Sequence, residues 1–217
     1  FGDSTSGLIS DITLMLDWKS GDRVLVFDGD FPSVIYPVKN AAKLFDLNVV
    51  MHKLDGFCDY SGHGLQRIEE ELKSGIRLVA LSSTQYHTGL LMPVREISIL
   101  CKKYGAQLLV DGAQSCGALN VDVREEGVDF LMAPTHKWLM GIEGAAFIFI
   151  SERAMNHLVF RRTGWMSYEG GLEFLFGEPE KLSYENEVRK KPSFLEIGMS
   201  NSIGFAALEA GISLHLH

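Results

Sequence analysis

The sequence is poor in cysteine, in positive charge and in long apolar runs, and each shortage excludes a class of protein. Three cysteines without CxxC spacing exclude a disulfide scaffold and a zinc ribbon, and predict a reducing, cytoplasmic environment. The 20 Lys and Arg against 28 Asp and Glu, a net charge of −8, argue against nucleic acid as a partner, which would need clustered basic residues. Apolar runs such as 144–150 are too short to span a bilayer, so no membrane partner is expected either.

Short β-branched runs alternate with longer segments of helical period. We predict strands over residues 23–29, 48–54, 77–83, 106–112, 128–134 and 144–150, and helices over 32–46, 64–74 and 93–104. Near-continuous apolar strands separated by helices indicate an α/β fold with a mostly parallel sheet flanked by helices.

Polar residues lie at or just beyond the carboxyl ends of several predicted strands. They are Asp28 and Asp30, and residues within 82–85, 111–114 and 135–137. Ligands of open α/β sheets bind beyond the carboxyl ends of the strands, so we expect one site built from several strand ends.

Two of these segments carry candidate chemistry. Asp111 follows three apolar residues, so its carboxylate needs a cationic or hydrogen-bonding partner; a cap on the next turn is an equally good interpretation. Gln114 can reach the same ligand. Lys137 can act as a nucleophilic amine, and His136 can donate to a phosphate, although both could also be solvent-facing turn residues.

The N-terminal segment offers a candidate phosphate site. Ser4 and Thr5 precede an apolar helix, whose free N–H groups favour anions, although a plain N-cap has the same pattern. Phe31, at another strand end, could stack on a flat ring. A phosphate site, an acid and an amine together are what pyridoxal 5′-phosphate (PLP) requires.

Residues 110–151 resemble the class V aminotransferase-fold enzymes, which include cysteine desulfurases, selenocysteine lyases, kynureninases and isopenicillin-epimerase-like proteins. The resemblance is carried by a DxxQ pattern at 111–114, "GVDF" at 127–130 and "HKW" at 136–138, followed by a glycine-rich segment. It implies the large domain of the fold type I PLP-dependent transferases over residues 1–217, as a fragment without its N-terminal segment and C-terminal small domain.

The resemblance implies roles around the cofactor ring. Lys137 would hold the cofactor as a Schiff base, and Asp111 would keep the pyridine nitrogen protonated. Gln114 would hydrogen-bond the phenolic oxygen, while Ala113 and Phe31 would cover the two ring faces. Lys137, Asp111 and His136 would be the catalytic residues.

The resemblance also implies contacts to the phosphate and the ring edge. Ser4, Thr5 and His136 would bind the phosphate, with Thr135 in place of a serine that many relatives carry. Gln85, or Tyr86 beside it, would lie near the phenolic oxygen.

Two later residues would connect subunits. Trp165 and Asn201 lie in segments that resemble those reaching a neighbouring subunit's phosphate, which implies a homodimer with shared active sites.

The resemblance therefore implies a PLP-dependent transferase or lyase acting on an amino acid. A desulfurase-like reaction, a kynureninase-like or epimerase-like reaction and a non-catalytic phosphate-binding role all remain open. A catalytic cysteine and the arginine for the substrate carboxylate would lie outside this chain.

Overall fold

A six-stranded sheet forms the centre of the protein, described here by a computed structural model over residues 1–58, 62–178 and 183–216. The strand order is β2-β1-β3-β4-β5-β6. The strands are β1 (Arg23–Asp28), β2 (Asn48–Lys53), β3 (Ile76–Ser82), β4 (Gln107–Asp111), β5 (Phe130–Pro134) and β6 (Ala146–Ile150).

Helices connect and cover these strands. They are α1 (Thr5–Met15), α2 (Pro32–Phe45), α3 (His63–Lys73), α4 (Val94–Tyr104), α5 (Val123–Glu126), α6 (Glu152–Met155), α7 (Glu173–Phe176) and α8 (Ser202–His215). Short 3-10 helices lie at Asp55–Phe57, Trp165–Ser167 and Pro192–Leu195.

Both faces of the sheet are buried at the central strands β1, β3, β4 and β5, which explains their nearly unbroken apolar sequences. In β1, Leu25 packs into the core on the side of α3 and α4, whereas Val24 packs into the core on the side of α1 and α2. Successive side chains of a strand point to opposite faces, so a sheet covered on both sides needs apolar residues at every position. The predicted α/β class is confirmed.

Strand direction changes only at the last strand. β1 to β5 pair in parallel, and β6 pairs antiparallel to β5. The connection over residues 135–145 contains no helix, and a parallel return would require a longer crossover. "HKW" lies in this connection, at the carboxyl end of β5.

None of the helices in the described ranges is long and apolar enough to cross a membrane.

Candidate functional site

A cavity of about 330 Å³ lies where the carboxyl ends of β3, β4 and β5 meet the N-terminus of α1. Its position agrees with the expectation of one site at several strand ends. The cavity is lined by Asp3, Ser4, Thr5, Ser6, Phe31, Ser33, Ser82, Thr84, Tyr86, Asp111, Ala113, Gln114, Pro134, His136, Lys137, Glu143, Gly144 and Ala145.

Asp111 is a buried acid at the base of the cavity, with only 3% of its surface exposed. Its Oδ1 accepts a hydrogen bond from the Ala113 N–H at 2.9 Å, and its Oδ2 accepts one from the Ser33 hydroxyl at 3.1 Å. Burial raises the pKa of Asp111 above its ordinary value; Asp30 adds to the rise, and Lys137 opposes it. A cation brought into the cavity would therefore meet a carboxyl group whose negative charge is poorly solvated.

Ser33 is a site residue that sequence reasoning missed. It lies near the start of α2, and 78 positions separate it from the carboxylate it contacts. Asp30, recognised only as a strand-end residue, accepts hydrogen bonds from the backbone N–H groups of Ser82 at 2.8 Å and Phe31 at 2.7 Å. These bonds fix the start of α2, and hence Ser33, against the end of β3.

Lys137 extends into the same cavity and is half-buried. Its Nζ lies 5.6 Å from the centroid of the Phe31 ring, and that ring meets Tyr86 edge-on at a centroid distance of 5.2 Å. The cavity thus combines an amine with an aromatic wall, within a lining that also includes the carboxyl groups of Asp3 and Glu143.

The N-terminus of α1 forms a polar corner of the cavity. Ser4 caps the helix by accepting the Gly7 N–H at 3.1 Å. Within the described residues, Thr5 Oγ1 and Thr84 Oγ1 are buried without a hydrogen-bond partner, although both residues line the cavity. Buried hydroxyls rarely lack a partner, so that of Thr5, at the positive end of α1, indicates room for an oxygen-rich anion.

The Gln114 side chain is held at the cavity by Trp138. The indole Nε1–H of Trp138 donates to Gln114 Oε1 at 3.0 Å. Gln114 lines the cavity, and Trp138 is not among the lining residues.

Two predicted contacts lie behind the cavity wall. Thr135 is fully buried, and its hydroxyl faces the carbonyls of Ile142 at 2.6 Å and Ala145 at 3.1 Å. Gln85 is also buried and donates weakly to the Ser82 carbonyl at 3.4 Å. Neither residue lines the cavity, whereas Tyr86 does.

The two residues predicted to reach another subunit also lie outside the cavity lining. Asn201 caps α8 by accepting the Gly204 N–H at 3.0 Å, and its Nδ2 donates to the Gly144 carbonyl at 3.2 Å. Trp165 begins a short 3-10 helix and is 38% exposed. Asn201 therefore contacts the glycine segment beside the cavity within its own chain.

Comparison with known proteins gives consistent matches over nearly the whole chain. The family profile described as Aminotransferase class-V matches residues 4–215. A probable cysteine desulfurase of Methanothermobacter thermautotrophicus is 30% identical over 213 residues, covering 98% of this chain and 50% of the relative. A kynureninase of Deinococcus radiodurans is 27% identical over 197 residues, covering 84% of this chain and 46% of the relative.

A solved structure gives the same result. The apo cysteine desulfurase of Thermococcus onnurineus NA1 matches with a TM-score of 0.82 and 25% identity, over 98% of this chain and 50% of that one. The chain thus spans about half the length of the relatives it matches.

Proposed function

This chain belongs to the class-V aminotransferase family, and we propose from this premise that it forms the cofactor-binding part of a PLP-dependent enzyme acting on an amino acid. The observation that carries the proposal is the meeting of an amine (Lys137), a buried acid (Asp111) and a hydroxyl without a partner among the described residues (Thr5) in one cavity. Cysteine desulfurases, which recur among the similar proteins, provide a functional analogy.

The residues present fit this cofactor. Asp111 would bind the protonated pyridine nitrogen, because burial raises the pKa of this carboxyl group and a cation beside it would offset that effect. The N-terminus of α1, with Ser4, Thr5 and His136, would bind the phosphate. Lys137 would hold the aldehyde carbon through Nζ as a Schiff base.

The ring would lie between Phe31 and Ala113, which both line the cavity. Gln114 would donate to the phenolic oxygen, and Tyr86, which lines the cavity, would lie at the ring edge. Gln85 and Thr135 contribute in this proposal by supporting the backbone of their loops, because their polar groups face the protein interior.

When bound, PLP supplies an electron sink that stabilises negative charge on the substrate Cα. Asp111 would hold a proton on the ring nitrogen through ion pairing, which would strengthen the electron withdrawal by the ring. Lys137 lines the same cavity, and its Nζ would take or return a proton at the reacting carbon of the substrate. His136, which lines the cavity, would donate a hydrogen bond to the phosphate.

The choice of reaction depends on groups beyond this cavity. None of the three cysteines, all within the described residues, lines it, and burial raises the pKa of Cys116 to about 12. A desulfurase reaction would therefore need its thiol from elsewhere in the protein. The aromatic wall at Phe31 favours, as a second candidate, a kynureninase-like lyase, which the match to a kynureninase also supports.

The proposal includes a homodimer in the cytoplasm. Exposed apolar side chains lie on the two segments joined by the Asn201–Gly144 hydrogen bond, namely Met140, Ile142, Met199 and Ile203. Exposed apolar side chains on segments beside the cavity support a subunit contact there. Cys58, Cys101 and Cys116 are all unpaired, which is typical of proteins in a reducing compartment.

Borohydride trapping tests the central assignment. After incubation with PLP and reduction, mass spectrometry should find the cofactor mass on the peptide containing Lys137, and the visible absorbance should disappear. Lys137→Ala should show neither the band nor the label, whereas Lys43→Ala, a change at an exposed lysine of α2, should keep both. A label that persists in Lys137→Ala would refute the assignment. Turnover of L-cysteine against L-kynurenine then separates the two candidate reactions.

A further inference from the structure

Trp138, the residue after Lys137, holds the side-chain amide of Gln114, which we propose to hydrogen-bond the phenolic oxygen of the cofactor. Trp138 Nε1 donates to Gln114 Oε1 at 3.0 Å, although about half of the Trp138 surface is exposed. We propose that Trp138 is a positioning residue, which sets the orientation of the Gln114 amide toward the cavity. This inference rests on the proposed function for its consequence, but not for the contact itself.

The chemistry of the two side chains determines the orientation. An indole N–H can only donate, and a glutamine amide has one accepting oxygen and one donating nitrogen. Trp138 therefore selects Gln114 Oε1 as its partner, which leaves the two Nε2–H groups for the cavity that Gln114 lines. Without the indole, the amide torsion is broad and nearly two-fold, so either end could face the cavity.

Trp138 is itself held by the backbone around it. Gly117 has φ +93, and a Cβ at this position would lie 2.6 Å from the Trp138 carbonyl oxygen. The same oxygen lies 2.9 Å from Nε2 of His215 on α8. The turn that carries Gln114 and the turn that carries Lys137 are thus joined at the backbone by the Gly117 approach and at the side chains by the indole–amide bond.

The consequence for the cofactor concerns charge on its phenolic oxygen. A fixed N–H donor favours the ionised oxygen, which then attracts the proton of the lysine–cofactor linkage less strongly. Loss of the donor should raise the pH midpoint of the visible absorbance change by about 1 unit, since a hydrogen bond to a charged group has that order of strength.

Spectra of the loaded protein test this consequence. Trp138→Phe, which keeps an aromatic ring, should raise the pH midpoint of the visible absorbance change, and Gln114→Ala should raise it similarly. The double variant should show no larger shift than either single variant. Trp18→Phe is the matched control, because it removes an indole that donates to the Thr13 carbonyl, remote from the cavity. An unchanged midpoint in Trp138→Phe, or additive shifts in the double variant, would overturn the proposal.

The unloaded protein tests the contact independently. The chain has three tryptophans, and Trp138→Phe identifies the ¹⁵N-indole resonance of Trp138. Gln114→Ala should shift this resonance, whereas Gln114→Glu should keep it hydrogen-bonded because a carboxylate also accepts. If loaded, Gln114→Glu should raise the midpoint at least as far as Trp138→Phe, since it presents no donor and adds a negative charge beside the phenolic oxygen. A resonance insensitive to Gln114→Ala refutes the contact, while a protein that binds no PLP but shows the shift refutes only the proposed function.

Discussion

Replacing Asp111 with asparagine should stabilise the protein in the absence of cofactor. Asparagine has the same shape and can keep both contacts, because its Oδ1 can accept from the Ala113 N–H and its Nδ2 can donate to the Ser33 oxygen. Only the charge is lost. Since desolvation of that buried charge costs on the order of 1–3 kcal/mol, Asp111→Asn should be more stable at pH 7 by about that amount. For a chain of this size the melting temperature should rise by roughly 2–10 °C.

The pH dependence of this difference follows from the raised pKa of Asp111. Below the ordinary carboxyl pKa, Asp111 is protonated in both the folded and unfolded states and costs nothing. As the pH rises from that value through the raised pKa of the folded state, the unfolded chain releases its proton first, so folding stability falls. The advantage of Asp111→Asn should therefore be small near pH 4 and should grow as the pH rises toward the raised pKa of Asp111 in the folded state.

Thermal unfolding followed by circular dichroism from pH 4 to pH 8, without added PLP, measures this difference. Asp122→Asn is the opposite control, because backbone N–H groups of Arg124 and Glu125 lower the pKa of Asp122, which should make that variant no more stable than wild type at neutral pH. A wild-type protein more stable than Asp111→Asn at pH 7, or a difference that does not change with pH, would refute the reasoning. With saturating PLP the order should reverse, because only the wild type offers the ion pair.

Two further predictions concern a glycine turn and the thiols. In urea unfolding, Gly117→Ala should lower the free energy of unfolding by more than Gly75→Ala. Both glycines have a left-handed φ, +93 and +92, which costs about 1–2 kcal/mol for alanine, but only at Gly117 would the new Cβ also meet a backbone carbonyl. Equal losses of stability in the two variants would contradict the close approach at Gly117. A maleimide should label one thiol in the native protein and three after unfolding, because Cys58 is exposed whereas burial raises the pKa of Cys101 and Cys116 to about 12. Cys58→Ser is the control, and rapid labelling of a second thiol in the native protein would contradict the prediction.

The central strands could be predicted from the sequence because burial on both faces requires apolar residues at nearly every position. Predicted 23–29 and 77–83, for example, correspond to observed strands Arg23–Asp28 and Ile76–Ser82. Lys137, Asp111 and Ser4, which the resemblance places around one cofactor, all line the cavity. Each lies near a strand end or a helix start, and the fold determines the position of these points.

Contacts that depend on side-chain direction could not be predicted in the same way. Thr135 has a hydroxyl suited to phosphate, but in its tight turn the Ile142 and Ala145 carbonyls compete for that proton and face it directly. Ser33 has no local pattern, since its partner lies on a distant strand. The Trp138–Gln114 bond likewise joins two turns that become neighbours only after β4 and β5 pair.

Two unfavourable features of the unloaded cavity together specify the kind of ligand. Asp111 is a buried acid whose charge is poorly compensated, and Thr5 Oγ1 is a buried hydroxyl without a partner among the described residues. A phosphate alone would satisfy the hydroxyl but would leave the acid without a cation. A ligand with a phosphate at one end and a protonatable ring nitrogen at the other would satisfy both, and Lys137 stands in the same cavity. Inorganic phosphate should therefore raise the melting temperature equally in wild type and Asp111→Asn, whereas PLP should raise it more in the wild type. Equal increases with PLP in the two proteins would favour a phosphate-binding role over the enzyme proposed above.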